Sequence, residues 1–253
     1  MIYDQAAPFY DLFDAEDPGA LWHREFVLTR AADLDAALDI GAGTGRTAFA
    51  LAERGVRVWA VEPSPGMRGV MLARLCDDTS LDDRLTIVPG DAQTCALGRT
   101  FPLIVFSHAL YLLAGPAERV AALANLARHL APGGRLIVDF ALEEGRAERP
   151  RARALAAERR IGEAVYRRFS TSTRAGDRLW AVTWAYEIEI AGQGAHRIEE
   201  TFPVATATLA ECRAELAAAG LRPALEYADY SGRQLGDPAS ASRYVAEAVR
   251  ISG

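Results

Sequence analysis

The stretch Leu38-Asp39-Ile40-Gly41-Ala42-Gly43-Thr44-Gly45-Arg46 (LDIGAGTGR) decides the fold of this chain. It reads as a short buried strand, Ala37 to Ile40, running into a glycine-rich turn and then a helix beginning near Thr44. Gly41, Gly43 and Gly45 carry no Cβ, so the backbone can turn sharply, adopt positive φ and lie flat against a ligand. The helix that follows presents unpaired N–H groups and a partial positive charge to the same spot. Such a turn binds a nucleotide-like cofactor. A dinucleotide fingerprint, G-x-G-x-x-G, would need glycine where Arg46 stands; here the third glycine comes one residue early. The spacing therefore disfavours a nicotinamide oxidoreductase.

Downstream, strand and helix signals alternate at the interval of βα units. Thr44 to Arg54 carries Ala48, Leu51 and Ala52 inward, and Gly55 ends it. Arg57 to Val61 is a second buried strand finishing at Glu62, ~20 residues after the glycine turn, where such folds place an acid on ribose hydroxyls. Ser64-Pro65 supplies an N-cap and first-turn proline for a helix reaching about Leu75. Arg84 to Val88 is a third strand, followed by Pro89-Gly90-Asp91-Ala92. Pro102 to Ser107 is almost wholly apolar, hence a central parallel strand, and its edge delivers Ser107, His108 and Tyr111. A helix from about Pro116 to Leu130, the turn Pro132-Gly133-Gly134 and a strand from Leu136 to Phe140 follow. The result is an α/β, doubly wound, mainly parallel sheet.

These strings, in this order, resemble the class I S-adenosylmethionine-dependent methyltransferase superfamily. Asp39, Gly41, Gly43 and Gly45 match its first motif, E/D-x-G-x-G-x-G, and LAPGGRLIVDF resembles the string around its fifth strand. Tyr3-Asp4 with Phe9-Tyr10-Asp11 resembles the N-terminal segment that folds over cofactor and substrate in many small-molecule members. The resemblance implies a Rossmann-like, seven-stranded sheet and S-adenosylmethionine as cofactor. It implies cofactor contacts at Tyr3, Tyr10, Asp39, Gly41, Ala42, Gly43, Gly45, Glu62, Pro63, Met67, Asp91, Ala92 and Ser107. Met67 would pack on the adenine and Asp91 would sit near its amino group. By residue type alone, the N-terminal aromatics fit core packing equally well, and a lone methionine such as Met67 is more often core.

After Phe140 the character changes. Eight arginines lie between Arg146 and Arg168, and with Glu148, Glu158 and Glu163 interspersed a solvated helix is expected there, ahead of a site for an anionic substrate. Ala164 to Thr173, Arg178 to Ile190 and His196 to Ala205 have strand patterns separated by the turns Ala175-Gly176-Asp177 and Gly192-Gln193-Gly194. A three-stranded antiparallel insertion after the fifth strand is expected. Thr208 to Ala219 is a helix capped by Gly220, and Arg222 to Tyr230 with Arg243 to Ile251 closes the sheet as a hairpin-like pair. This tail resembles small-molecule N- and O-methyltransferases whose inserted strands form the substrate lid. The organisation implied is one methyltransferase domain over 1–253, with 1–35 covering the cofactor and 143–205 the substrate.

The formal net charge of −6 disfavours a protein that grips nucleic acid over a broad surface. No apolar run approaches the ~20 residues of a membrane span, and the start, MIYDQAAPFYD, does not read as a signal peptide. Cys76, Cys95 and Cys212 are widely separated and odd in number, which suits a reducing cytoplasm and argues against a disulfide framework. All 28 basic residues are arginine. With no lysine, Schiff-base chemistry on pyridoxal phosphate and a P-loop are both excluded.

Methyl transfer from a sulfonium is an in-line displacement that mainly requires alignment and exclusion of water. An amine acceptor needs only to arrive neutral, whereas a hydroxyl usually needs a base. The C-terminal strand edge gathers Asp39, Glu62, Asp91, Ser107, His108, Tyr111 and Asp139. His108, with an intrinsic pKa near ~6.5, is the base candidate, and Tyr10 and Tyr111 come next; the alternative is that His108 only orients a ring or a backbone group. His129 reads as structural, and His23 and His196 are unplaced. No His/Asp/Glu grouping has metal-ligand spacing. The fourth strand ends in SHAL and not in the D/N-PP-Y of amino-methyltransferases acting on DNA bases or protein glutamine. The expected function is methyl transfer to N or O of a small metabolite in the cytoplasm, without nucleic-acid or membrane partners and with a homodimer open as the assembly. The alternatives are an RNA-modifying methyltransferase and a non-catalytic cofactor-binding protein.

Overall fold

The computed structural model describes residues 2–14, 18–145 and 151–251. Two helices, α1 (Ala7–Asp14) and α2 (Pro18–Arg30), precede a βα alternation. Its strands are β1 (Ala36–Ile40), β2 (Arg57–Glu62), β3 (Leu85–Pro89), β4 (Phe101–Phe106) and β5 (Leu130–Leu142). Its helices are α3 (Arg46–Glu53), α4 (Pro65–Asp77) and α5 (Pro116–His129). Four long strands come next: β6 (Arg151–Ile161), β7 (Ala164–Gly176), β8 (Leu179–Ile190) and β9 (Gly194–Ala207). The chain closes with α6 (Leu209–Ala218), β10 (Leu221–Tyr227) and β11 (Arg243–Arg250).

The main sheet runs β3-β2-β1-β4-β5-β11-β10. The first five strands are parallel, and β11 is antiparallel to both its neighbours. This is the doubly wound, seven-stranded, mainly parallel sheet expected. The pleat sorts residues between two cores one by one. Leu38, Ile40, Ile104, Phe106, Leu136 and Val138 face α5 and α6, while Ala37, Leu103, Val105 and Ile137 face α2 and α3. Because both faces are covered, β4 has no polar side and reads as a continuous apolar run.

Helix starts follow the capping rules. Ser64 Oγ accepts from the Met67 N–H at 3.1 Å at the head of α4, with Pro65 in its first turn. Thr208 and Glu211 bond each other's backbone N–H groups at the head of α6, a capping box. Gly45 precedes α3 at φ +84, and a Cβ there would stand 2.7 Å from Met71 Cγ and 3.0 Å from Phe49. The third motif glycine therefore lets α3 and α4 pack together. No described helix is long and apolar enough to cross a membrane.

The insertion has four strands, not three. β9 runs beside the end of β5 for two residues, Ala141↔Thr206 and Leu142↔Ala207, and β8, β7 and β6 add to it antiparallel. The solvated helix expected in the arginine run is thus strand β6 and the start of β7. Residues 151–161 are solvated as expected, but no face of them is buried. What recruits them is backbone pairing with β7 across the two-residue turn Gly162-Glu163, with Ile161 opposite Ala164 and Gly162 at φ +58. Arg146, Glu148 and Arg149 lie outside the described residues.

Candidate active site

A cavity of about 1080 Å³ opens beyond the C-terminal ends of the parallel strands. Its floor is the glycine turn. The Gly41 N–H donates to Val61 O at 2.8 Å, tying the turn to β2, and a Cβ at Gly41 would stand 2.9 Å from Ala109 Cβ. Gly43, at φ +60, has open space where a Cβ would be, and its N–H donates to Glu62 Oε2 at 2.9 Å. Glu62 Oε1 accepts from the Ser64 N–H at 2.8 Å. This carboxylate is buried, which raises its pKa against the backbone donors that lower it.

Asp39 sits at the end of β1, 4% exposed, with Oδ2 enclosed and without a hydrogen-bond partner. Burial, with Glu62 beside it, pushes its carboxyl up to about 8. An orphaned buried carboxyl oxygen in a ligand cavity suits a cationic ligand. Pro63, Met67, Asp91 and Ala92 line the same half of the cavity. Asp91 is largely engaged by its own turn: Oδ1 accepts from the N–H groups of Gln93 and Thr94, and Oδ2 from Thr94 Oγ1. Ala42 and Ser107 also line the cavity, while Gly45 lies beneath the turn in the α3–α4 packing.

The N-terminal segment closes one side through three carboxylates. Asp4 Oδ1 accepts from Ser64 Oγ at 2.5 Å and the Gly66 N–H at 3.3 Å. Asp11 accepts from Thr44 Oγ1 at 2.8 Å and pairs with Arg46. Glu200, on β9, accepts from the N–H groups of Gln5 and Ala6. Tyr3 and Tyr10 are thereby brought edge to face, 5.7 Å apart, against Trp184 of β8, with Phe202 of β9 5.1 Å from Tyr3. All four rings line the cavity.

The opposite wall is polar. His108 follows β4 at φ +59, held there as its N–H donates to Asp139 Oδ1 at 2.6 Å. The Asp139 carboxylate, fully buried, also accepts from Arg243 of β11. An Arg243 Nη1 hydrogen points at His108 Nδ1, 3.0 Å away. A guanidinium only donates, so Nδ1 is the accepting nitrogen and the ring proton belongs on Nε2. Burial first, then Arg243 and Arg46, hold the His108 pKa well below its ordinary value. Burial likewise raises the phenols of Tyr3 and Tyr111, which keeps both neutral. The rings of His23, from α2, and Tyr230 complete this wall.

Fifteen side chains and turn residues read as functional from sequence reduce to one cavity, Gly45 apart. The described arginines between 151 and 168 do not line it. Arg153 pairs with Glu187 at 2.5 Å and stacks over Phe169, 3.5 Å from the ring centre. Sequence reasoning missed His23, Tyr230 and Arg243. The only signal for them was chemical type, because they meet His108 across 85 to 135 residues of chain.

The cavity fits a sulfonium nucleoside. The open space over Gly43 admits a ligand against the backbone, the Glu62 carboxylate beside the turn can accept from ligand hydroxyls, and Asp39 has an unpartnered oxygen suited to positive charge. Residues 38–136 match the family profile described as "Methyltransferase domain". A cypemycin N-terminal methyltransferase from Streptomyces sp is 31% identical over 95% of this chain and 93% of its own. The amino pentose methyltransferase from Micromonospora echinaspora, solved with S-adenosylmethionine bound, is 28% identical, with TM-score 0.69 over 89% of this chain and 91% of that one. The CcbJ methyltransferase from Streptomyces caelestis, 23% identical, shares the fold at TM-score 0.78 over 98% and 97% of the two chains. With the glycine turn, the sheet order and this end-to-end relatedness together, the chain belongs to the class I S-adenosylmethionine-dependent methyltransferases.

Proposed function

We propose that the protein methylates the nitrogen of a small amine-bearing molecule. The observation that carries this reading is that, among the described residues, the polar wall holds no strong base: burial keeps the pKa of both His23 and His108 well below the ordinary imidazole value. His108 Nδ1 is engaged by Arg243, and Tyr3 and Tyr111 are held neutral. A hydroxyl acceptor would need such a base, whereas an amine needs only to lose its ammonium proton before displacement. The relatives named for a peptide N-terminus and for an amino pentose support the same class of acceptor. The net charge of −6 supports a small acceptor over a nucleic acid. The three free cysteines support the cytoplasm, and a homodimer remains the assembly to test by light scattering.

When bound, S-adenosylmethionine supplies an electrophilic methyl on a sulfonium. Glu62 would hold its ribose, Met67 with Asp91 and Ala92 its adenine, and Asp39 with the turn at Gly41, Ala42 and Gly43 its charged end. Tyr3, Tyr10, Pro63 and Ser107 would enclose it, α1 would cover it, and the inserted strands β8 and β9 would cover the acceptor. His108 and Tyr111 align the acceptor and exclude water. The test pairs an amino pentose and an unblocked tripeptide with their deaminated hydroxy counterparts, each incubated with methyl-labelled cofactor. Label should pass to the amines alone; equal labelling of the hydroxy compounds would overturn the nitrogen assignment.

Two further results are expected. Glu62→Ala should weaken cofactor binding by about 1–3 kcal/mol, the worth of hydrogen bonds to a charged acceptor. An unchanged Kd in a folded variant would remove Glu62 from the ribose site. Asp39 gives a pH signature. Its folded pKa of about 8 lies above the unfolded value, so its contribution to stability is full below about pH 4 and is lost as pH rises through 8. A cationic ligand favours the ionised form, so binding at pH 7 releases a proton and affinity climbs toward pH 8. Calorimetry in two buffers of different ionisation enthalpy should show the release, and Asp39→Asn should lack it. Identical heats in both buffers for the parent protein would sink the assignment.

A further inference from the structure

His23 lies in the middle of α2 and is 8% exposed. Its ring packs edge-on against His108, centres 5.0 Å apart, and against Tyr230 at 4.6 Å and 89°. Its Nε2 is enclosed and has no hydrogen-bond partner. An unsatisfied buried polar atom is costly, so a residue serving only to pack here would be better as an apolar ring. His23 nevertheless lines the cavity beside His108 and Arg243.

An amine in position for transfer points its lone pair at the methyl group and its N–H bonds away, toward the wall. Those N–H bonds need an acceptor. Arg243 only donates, and His108, with Nδ1 engaged, offers a donor at Nε2. The buried Asp139 carboxylate is occupied by His108 N–H and Arg243. Ser107 Oγ and Tyr230 OH on the same wall are also unpartnered, but each is a hydroxyl that can turn its own proton toward the amine, whereas a protonless His23 Nε2 can only accept. We propose that His23 Nε2 accepts a hydrogen bond from the acceptor amine and orients its lone pair, an inference resting on the nitrogen-transfer reading above. The tautomer required carries its proton on Nδ1. Burial first, then His108, Arg243 and Arg46, keep the ring uncharged against the opposing pull of Asp139, so the lone pair is present at neutral pH.

Two variants separate this role from packing. His23→Phe keeps a ring against His108 and Tyr230 but removes the nitrogen; His23→Gln keeps a polar atom at similar reach. With the amino pentose and the tripeptide as acceptors, His23→Phe should lose about 10- to 100-fold in kcat, the scale of a misaligned nucleophile. Its Tm should equal or exceed the parent's, and its cofactor Kd should be unchanged. His23→Gln should recover much of kcat. Parent-like kcat in His23→Phe would overturn the proposal while leaving nitrogen transfer intact. A loss in His23→Phe that tracks a lowered Tm and is shared equally by His23→Gln would also overturn it. Labelling of the hydroxy counterparts and not the amines by the parent enzyme would instead remove the reading on which it rests.

Discussion

Arg119→Met should lower the stability of the folded chain by about 3–5 kcal/mol, the usual result of orphaning one partner of a buried ion pair. Arg119, on α5, meets Glu215, on α6, through two bonds of 2.9 and 2.5 Å, with side chains 6% and 8% exposed. The same guanidinium donates to Leu113 O and Ala114 O, fixing the loop that enters α5. Removal leaves a buried carboxylate and two loosened carbonyls. For a chain of this size the loss corresponds to roughly 6–20 °C in Tm. The double variant Arg119→Met/Glu215→Leu should recover most of it, because an apolar pair of similar volume can replace a buried ion pair. Thermal unfolding of the three variants measures this. A single-variant loss under about 1 kcal/mol would show that water reaches Glu215 freely.

Arg243→Met is the second large effect, and it reaches the chemistry as well as the fold. Asp139 is fully buried and depends on Arg243 for its counter-charge, while the guanidinium itself is 30% exposed. The stability cost should therefore sit at the low end for such pairs, about 3 kcal/mol. The variant also frees His108 Nδ1, so the ring loses the contact that fixes its tautomer. Activity should fall well beyond any change in cofactor affinity. Arg243→Lys keeps the charge without the planar Nη1 that reaches both His108 and Asp139, so it should regain stability more fully than kcat. If Arg243→Met unfolds at the parent temperature, the Asp139–Arg243 pair does not hold the fold.

The parallel half of the fold was legible because each βα unit carries its own local signals. Glycine turns, caps such as Ser64-Pro65 and the apolar run of β4 each predict one element without reference to the rest. β6 was not legible for the opposite reason. Arg151 to Ile161 has no buried face, so neither alternation nor helical period marks it, and only the partner strand defines it. The site divides the same way. Asp39, Glu62 and the turn glycines sit on consecutive local units and could be read from their spacing. His23, Tyr230 and Arg243 come from α2, from the turn after β10 and from β11, and only the closed sheet brings them to His108. His108 itself was read correctly as an edge residue. Its engagement by Arg243 follows only from the pairing of β11 with β5.

The three carboxylates that fasten the N-terminal segment have a kinetic consequence. Asp4 grips the head of α4, Asp11 the start of α3, and Glu200, reaching in from β9, the head of α1. The segment is therefore moored to the cofactor floor at two points and to the inserted strands at a third. On the proposed reading a spent cofactor would leave past these contacts, and its residence time would depend on how often they release together. Because the third contact comes from β9, any movement of the N-terminal segment away from the floor would also have to part it from the inserted strands.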